Sequence, residues 1–125
     1  MVQSVQLFEL AAQQARWLAA RQSAVAGNIA NANTPGYGAV DIAPFEQVLK
    51  NSATTVSTTA PGHIPIGGSA AEYAPRRDSS PSVSASDNTV KLEDELIKAS
   101  EVRRAFELNT AIVKAFHRMM MMNAR

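Results

Sequence analysis

The stretch Asn28-Ile29-Ala30-Asn31-Ala32-Asn33-Thr34-Pro35-Gly36-Tyr37 decides the architecture, because a helical pattern reaches it from the N-terminal side and cannot continue through it. Thr34 precedes a proline and is pushed out of the α region, and Pro35 has no backbone N–H to donate. Pro35-Gly36 is typical of the centre of a type II turn, with positive φ at Gly36. Asn31 or Asn33 is the natural left-handed residue to close the helix. The stretch therefore predicts a helix stop followed by a fixed change of direction.

The composition limits the class of protein. A chain of 125 residues with a net charge of +1 forms one domain at most, and it lacks the large positive surface expected for nucleic-acid binding. It contains no cysteine, which excludes disulfides, zinc–thiolate sites and thiol nucleophiles. Residues 1–30 lack a basic segment followed by a continuous apolar core, so no cleaved signal peptide is predicted. No run approaches the roughly 18 apolar residues of a membrane-spanning helix.

Apolar residues recur in the N-terminal segment at alternating steps of three and four. This spacing predicts an amphipathic helix of heptad type from about Val5 to Ala32, interrupted only by Gln22. The other faces carry mostly small residues, which either let neighbouring helices approach closely or simply reflect the high helix propensity of alanine. The core-facing residues predicted here are Phe8, Ala11, Ala15, Leu18, Val25 and Ile29.

The middle of the chain shows no sustained period. A short helix is predicted after Pro44, with Phe45, Val48 and Leu49 on one side. Residues 51–88 are rich in Ser, Thr, Ala, Pro and Gly; within them, residues 54–59 could pair as a strand and residues 79–86 are typical of a flexible linker. Irregular segments of this length are rare inside a compact domain. We therefore expect this one to be mobile or to be ordered by a partner.

The C-terminal segment returns to the helical pattern. Asn88 or Thr89 is expected to cap a helix that reaches about Met122, and the acidic residues 93–95 lie in its first turn, where the helix dipole favours negative charge. Asn109 is the one polar member of the apolar stripe and is expected to fix the register between packed helices. The stripe consists of Leu92, Leu96, Ala99, Val102, Phe106, Asn109, Val113, Phe116 and Met120.

These segments predict a mainly α fold, in which two long N- and C-terminal helices pack as an antiparallel coiled-coil-like hairpin joined by a largely irregular middle with possible short strands. A two-helix pair leaves much apolar surface in water, so we expect neighbouring subunits to complete the core. Phe8, Ile112, Met119 and Met121 have no obvious partner inside such a hairpin. The expected segments of this single domain are 1–33 (N-terminal core helix), 34–50 (turn and short helix), 51–88 (irregular middle) and 89–125 (C-terminal core helix).

Four segments carry a resemblance to a known family. Residues 28–37 resemble the signature of bacterial flagellar rod, hook and hook-associated proteins, with the motif positions Asn28, Ile29, Asn31, Thr34, Pro35, Gly36 and Tyr37. Residues 39–45, 59–64 (Thr-Ala-Pro-Gly-His-Ile) and 88–95 are similar to segments of the proximal-rod proteins within the flagellar basal-body rod family. Gly38 departs from the family pattern, which usually has a basic residue after the tyrosine.

The resemblance implies a structural subunit of the proximal rod that assembles head to tail through its terminal helices, transmits torque and forms part of the export-channel wall. It implies other rod proteins, further copies of the chain, the rod-to-ring junction protein, the membrane-embedded ring and the export apparatus as partners. Nucleic acid, small-molecule substrates and cofactors are not among them. The implied location is the periplasmic rod of the basal body, reached by flagellar type III export without a cleaved signal peptide.

Two other functions stay open. A helical-hairpin binding module would dock one partner through the same stripes, and a discrete one-to-one complex rather than polymerisation would identify it. An interfacial membrane helix is less favoured, because few lysines or arginines flank the N-terminal stripe.

Catalysis and metal binding are not predicted. His63 and His117 are the only histidines, and without cysteines they make a poor metal site. The acidic residues 93–95 occupy adjacent helix positions, whose side chains diverge rather than meet at one substrate atom. The methionines at 119–122 are interpreted as a deformable packing surface rather than a peptide-binding groove. Arg76-Arg77 is interpreted as a solvated pair.

Overall fold

A computed structural model of the protein describes residues 2–53, 73–77 and 85–124. The sequence-based expectations for residues 54–64, including His63, and for residues 79–84 fall outside this part of the chain. The elements are helix α1 (Val2–Ala30), strand β1 (Val40–Asp41), helix α2 (Phe45–Ala53), strand β2 (Arg76–Arg77) and helix α3 (Leu92–Asn123). At 1.5 Å per residue, α1 and α3 are roughly 43 and 48 Å long.

Helices α1 and α3 pack against each other as an antiparallel hairpin, which confirms the predicted fold class. Near the start of α1, the Phe8 ring meets the Phe116 ring edge-on, with centroids 5.6 Å apart. At the other end of α1, the Asn28 side chain hydrogen bonds to Glu95 in the first turn of α3. The early part of each long helix therefore lies beside the late part of the other.

The core of the hairpin repeats every seven residues on each helix. Ala11, Leu18 and Val25 are buried on α1, and Leu18 is only 1% exposed. Their counterparts on α3 are Glu95, Val102 and Asn109, which are also buried. A strict seven-residue repeat keeps one narrow seam of each helix facing its partner, as in a coiled coil. The periodicity in the sequence is therefore the direct cause of the hairpin.

A small layer covers one side of α1 near the turn. Val40 and Asp41 of β1 pair antiparallel with Arg77 and Arg76 of β2. Helix α2 begins after Pro44, whose carbonyl oxygen accepts hydrogen bonds from the backbone N–H groups of Gln47 and Val48. Val48 is 2% exposed, so the apolar side predicted for this helix faces inward.

Candidate assembly surface

The end of α1 and the turn after it are built largely as the sequence predicts. Gly36 has a φ of 73°, and the Tyr37 N–H donates to the Thr34 carbonyl oxygen at 3.3 Å, as a type II turn at Pro35-Gly36 requires. The left-handed cap predicted at Asn31 or Asn33 is wrong, since the one non-glycine residue with positive φ in the described chain is Asp87. The last carbonyl groups of α1 find local donors instead: the Gly27 carbonyl oxygen accepts the backbone and side-chain N–H groups of Asn31, and the Ile29 carbonyl oxygen accepts the Ala32 N–H.

Asn88 holds the turn after α1 from 54 to 57 residues away along the sequence. Its side-chain amide donates to the carbonyl oxygens of Asn31, Ala32 and Thr34 at 2.9, 3.0 and 2.8 Å. Its own carbonyl oxygen accepts the Val90 N–H at 2.8 Å. These three carbonyl groups belong to the turn that follows α1. Asn88 therefore ties the chain leading into α3 to this turn.

The prediction that Asn88 or Thr89 caps α3 is therefore wrong. The N-cap of α3 is Lys91, which makes no side-chain capping bond. Asn88 is used at the end of α1, and the Thr89 hydroxyl accepts the Ala39 N–H at 2.7 Å. Backbone bonds from the Gly36 N–H to Ser86 and from the Thr89 N–H to Tyr37 complete this junction. The chain before α3 is thus held on the motif turn instead of turning early into a helix.

Asn28 is the most buried residue of the motif, with no exposed surface. Its side-chain amide pairs with Val40 in both directions, accepting the Val40 N–H at 3.0 Å and donating to the Val40 carbonyl at 2.7 Å. It also donates to Glu95 Oε2 at 3.1 Å. A buried polar group is costly unless it is hydrogen bonded, and these bonds satisfy the amide. One side chain therefore joins α1, β1 and α3.

A series of ion pairs connects the buried Glu95 to charged residues nearer the surface. Glu95, 2% exposed, is paired with Lys98 at 3.1 Å, and Lys98 reaches Asp41 at 3.5 Å. Arg21 then lies 3.6 Å from Asp41 and 3.4 Å from Glu101. Burial lowers the pKa of Lys98, but its hydrogen bond to Glu95 and the charges of Asp41 and Glu95 outweigh this, so the pKa lies above its usual value.

The side chain of Trp17 holds the segment that contains β1 and α2 against α1. Its indole N–H donates to the Ala43 carbonyl oxygen at 2.7 Å, and its ring lies 5.7 Å from the ring of Phe45. The Arg21 guanidinium carbon is 5.6 Å from the centre of the Trp17 ring, within cation–π distance. Tyr37 lies against the same helix, with its hydroxyl 3.9 Å from where a Cβ on Gly27 would be. Glycine at position 27 permits this approach.

The sequence analysis missed three of these contributors. Glu95 was interpreted only as a first-turn acid, although it lies seven residues before Val102 and fourteen before Asn109, in the buried repeat. That spacing is a signal which could have revealed it. Trp17 and Arg21 lie outside the heptad stripe; Trp17 binds the segment after the turn, and Arg21 binds both Asp41 in that segment and Glu101 in α3. No pattern within α1 indicates those partners.

The predicted core residues fall into three groups in the structure. Asn109 is buried and donates to the Ala11 carbonyl oxygen at 3.2 Å, a bond that can hold the register between the helices. Leu92 and Leu96 are 46% and 56% exposed, because the inward position of the first turns of α3 is taken by Glu95. Buried are Ala11, Leu18, Val25, Val102 and Asn109; partly buried are Phe8, Ala15, Ile29, Ala99, Phe106, Val113 and Phe116; Leu92, Leu96 and Met120 are exposed.

The sequence predicted no obvious partner for Phe8 inside the hairpin, and this prediction is wrong. It packs on Phe116, its counterpart near the end of α3. The other three residues in that group remain in solvent, with Ile112, Met119 and Met121 exposed by 45%, 59% and 61%. Phe8 lies on the seam of α1, whereas these three lie off the seam of α3.

A large apolar surface is exposed. Large exposed apolar patches mark interaction sites. Among the described residues, the large apolar side chains in solvent are Val5, Leu10, Leu92, Leu96, Ile97, Leu108, Ile112 and Met119–Met122.

Other types of site find little support in the described residues. There, no group of three His, Asp or Glu side chains is placed to hold a metal ion, and His117 is exposed. Arg76 and Arg77 are exposed, and the Arg77 side chain lies over Gly38, with its Cδ 3.7 Å from where a Cβ would be. Within the same part of the chain, no helix has the length and apolarity needed to cross a membrane.

Comparison with known proteins gives this surface a context. The family model described as flagella basal body rod protein matches residues 10–37. The chain is also 41% identical over 129 residues to the flagellar basal body rod protein FlgB of Agrobacterium fabrum, and the alignment covers 99% of this chain and 96% of that protein. The chain belongs to the flagellar basal body rod protein family. The family resemblance derived from residues 28–37 is confirmed, and so is the likeness to the proximal-rod branch.

Membership of the rod-protein family gives the chain its general function. It is a structural subunit of the flagellar basal body rod, serves motility and assembles with other rod proteins. The matched residues 10–37 include most of the core-facing repeat of α1 and the whole motif turn. The region by which this rod-protein family is recognised is therefore also the region that Asn28 and Asn88 hold together.

Proposed function

We propose that this rod subunit inserts its two terminal helices into the helical core of a tube, where they transmit torque and form part of the wall of the export channel. The observation that carries the proposal is the exposed apolar surface of α1 and α3 in a member of a rod family. Neighbouring subunits would bury that surface, which a single hairpin cannot do. The residues assigned to the assembly core are the two stripes identified in the sequence, which form the seam within each hairpin and carry the exposed apolar surface around them into the tube.

The finer partners follow from the same proposal. They are further copies of the chain, the rod-to-ring junction protein, the membrane-embedded ring and the export apparatus. The subunit would reach the periplasmic rod through the flagellar type III system without a cleaved signal peptide. An enzymatic role has no part in this proposal.

The motif turn would act as a rigid corner that directs the middle of the chain toward a neighbour. Its support is the number of bonds that fix it: Asn88 donates to three carbonyl oxygens there, and Gly36 is held to Ser86 at 2.8 Å. A corner used only to end a helix would not need ties to a segment some 50 residues away. The residues assigned to this role are Asn28, Ile29, Asn31, Thr34, Pro35, Gly36 and Tyr37.

Complementation of a deletion strain tests the proposal. Leu18→Asp places an unpaired carboxylate in the buried seam, which costs several kcal/mol. We expect it to abolish rod assembly and swimming while the chain is still secreted, because export precedes formation of the core. Ser23→Asp, at an exposed position of the same helix, is the matched control and should swim normally.

Three measurements decide the outcome: swimming, secretion into the medium, and the presence of the chain in purified basal bodies. If the Leu18→Asp variant swims normally, the proposal that the two helices pack in the core of the tube is wrong. If light scattering shows a discrete one-to-one complex with one rod protein and no larger species, the hairpin acts as a binding module instead.

A further inference from the structure

A second apolar stripe runs along the far half of α3. Its members follow at steps of four, three, four and three residues, and none is charged. Taking 100° per residue, this stripe lies about 120° around the helix from the buried seam that contains Val102 and Asn109. It is formed by Leu108, Ile112, Ala115, Met119 and Met122, and the four large side chains are 62%, 45%, 59% and 71% exposed.

An apolar groove of about 410 Å³ lies between α1 and α3. It is open because Ala26 on one helix and Ala99 on the other are small, and Arg103 and Glu107 stand at its rim. Around the axis of α3, the residues that line the groove lie about 70° from the buried seam. They lie on one side of the seam, and the second apolar stripe lies on the other. Its apolar lining consists of Val25, Ala26, Ile29, Ala99, Val102 and Phe106.

We propose that the stripe of one copy of this chain seats in the groove of a second copy, with Ile112, Ala115 and Met119 as the inserted residues. This inference rests on the proposed function and names the contact that would join two subunits. The three residues span two helical turns, and so do the α1 and α3 walls of the groove, from Gln22 to Ile29 and from Ala99 to Phe106. The lengths of the contact surfaces therefore match.

The side chains also match in size and charge. The branched Ile112 and the flexible Met119 can fill a recess lined by alanine, and methionine adapts to irregular gaps. Arg103 and Glu107 pair with each other at 3.4 Å, so the rim carries no net charge that would oppose an uncharged stripe. Size and charge therefore favour the contact.

The two surfaces lie on opposite sides of the hairpin. A contact between different surfaces of identical subunits does not close on itself unless the rotation forms a ring; otherwise it continues as a helical array. A second copy is therefore the occupant that fits a rod-forming family, because two copies joined by one such contact leave one stripe and one groove free to bind further copies.

Cysteine cross-linking tests this contact, and the absence of native cysteines keeps the background clean. Ala115→Cys and Ala26→Cys would be made in separate copies, one with a larger tag, so that a disulfide between positions 115 and 26 must join two subunits. After co-expression and oxidation of purified basal bodies, we expect this mixed product. The control pairs Ala115→Cys with Gln6→Cys, an exposed position rotated to the other side of α1.

The mixed product should form at least about tenfold more than the control, because a disulfide needs Cβ atoms within about 4.5 Å. If both variants enter rods and support swimming but give no product above the control, the contact is overturned while the rod function stands. If the tagged wild-type chain is missing from purified basal bodies, the proposed function itself fails. A photo-reactive residue at position 112 identifies the occupant: attachment to residues 22–29 or 99–106 of a second copy supports the contact, and attachment to a different rod protein overturns it.

Discussion

The side-chain amide of Asn28 donates to the carboxylate of Glu95, 67 residues later, at 3.1 Å, and both side chains are buried. Asn28 lies in the last turn of α1, and Glu95 takes the first buried position of α3. A polar pair of this kind is stable only when each group is satisfied. Here Val40 completes the amide and Lys98 completes the carboxylate.

Asn28→Asp should destabilise the hairpin by about 2–4 kcal/mol, because it leaves the Val40 carbonyl without its donor and brings a second carboxylate to Glu95. Asn33→Asp, at an exposed position of the same motif, should change the free energy of unfolding by less than about 0.5 kcal/mol. Urea unfolding of the purified full chain, followed by circular dichroism, measures both. Equal stability of the two variants would mean that the Asn28 bonds contribute nothing.

Asn88→Ala should cost about 1–3 kcal/mol, since three carbonyl oxygens lose a donor. Asn88→Asp retains the oxygen that accepts the Val90 N–H but removes the donor, so it should be destabilised as well. Amide hydrogen exchange should speed up for residues 31–37 in both variants, while the centre of α3 stays unchanged. An effect confined to the first turn of α3 would instead restore the capping role that the structure contradicts.

Gly36→Val should be more damaging than Gly38→Ala. Nothing lies within 4 Å of a Cβ placed at Gly36, so the cost arises from its φ of 73°, which a β-branched residue rarely adopts. We expect a loss of about 1–3 kcal/mol for Gly36→Val and a change of less than about 1 kcal/mol for Gly38→Ala. Gly36→Asn should be milder than Gly36→Val. Thermal unfolding midpoints rank the three variants, and a Gly36→Asn midpoint below that of Gly36→Val would contradict the conformational cause.

The raised pKa of Lys98 predicts how its contribution to stability depends on pH. A lysine whose pKa is higher in the folded state stabilises fully below the unfolded value of 10.5 and loses this contribution as the pH rises through the folded value. The difference in unfolding free energy between wild type and Lys98→Met should therefore be constant from pH 7 to 9 and should shrink only above 10.5. Urea unfolding at pH 7, 9 and 11 measures it. A difference that already falls between pH 7 and 9 would exclude this linkage.

Leu18→Ala should cost about 2–5 kcal/mol, because it removes a fully buried side chain and leaves a cavity in the seam. Leu10→Ala is the matched control on the same helix, since Leu10 is 42% exposed. It should change stability by less than about 1 kcal/mol in the free subunit. Chemical unfolding of both variants as monomers tests the seam without any contribution from assembly, and similar losses would mean that α1 has no preferred inner face.

The fold could be predicted from the sequence wherever one segment carried its own signal. The seven-residue repeats of α1 and α3, the short helix after Pro44 and the positive φ of Gly36 are local properties, and the structure has all of them. The errors concern residues whose partners lie far away. Asn88 is a residue type that often caps helices, yet the carbonyl groups to which it donates belong to the turn after α1. Glu95, Trp17 and Arg21 likewise take their roles from segments that local patterns do not connect.

The polar bonds that link α1 to α3 join residues between 67 and 98 positions apart. Closing so long a loop costs chain entropy before any of these contacts forms, at about 0.6 kcal/mol for each doubling of its length. Until the last quarter of the chain is available, α1 has no seam against which to bury Leu18. Folding rates fall as the sequence separation of contacts rises. This helical protein is therefore expected to fold at rates closer to those of a β-sheet domain of its size than to those of a bundle with short loops.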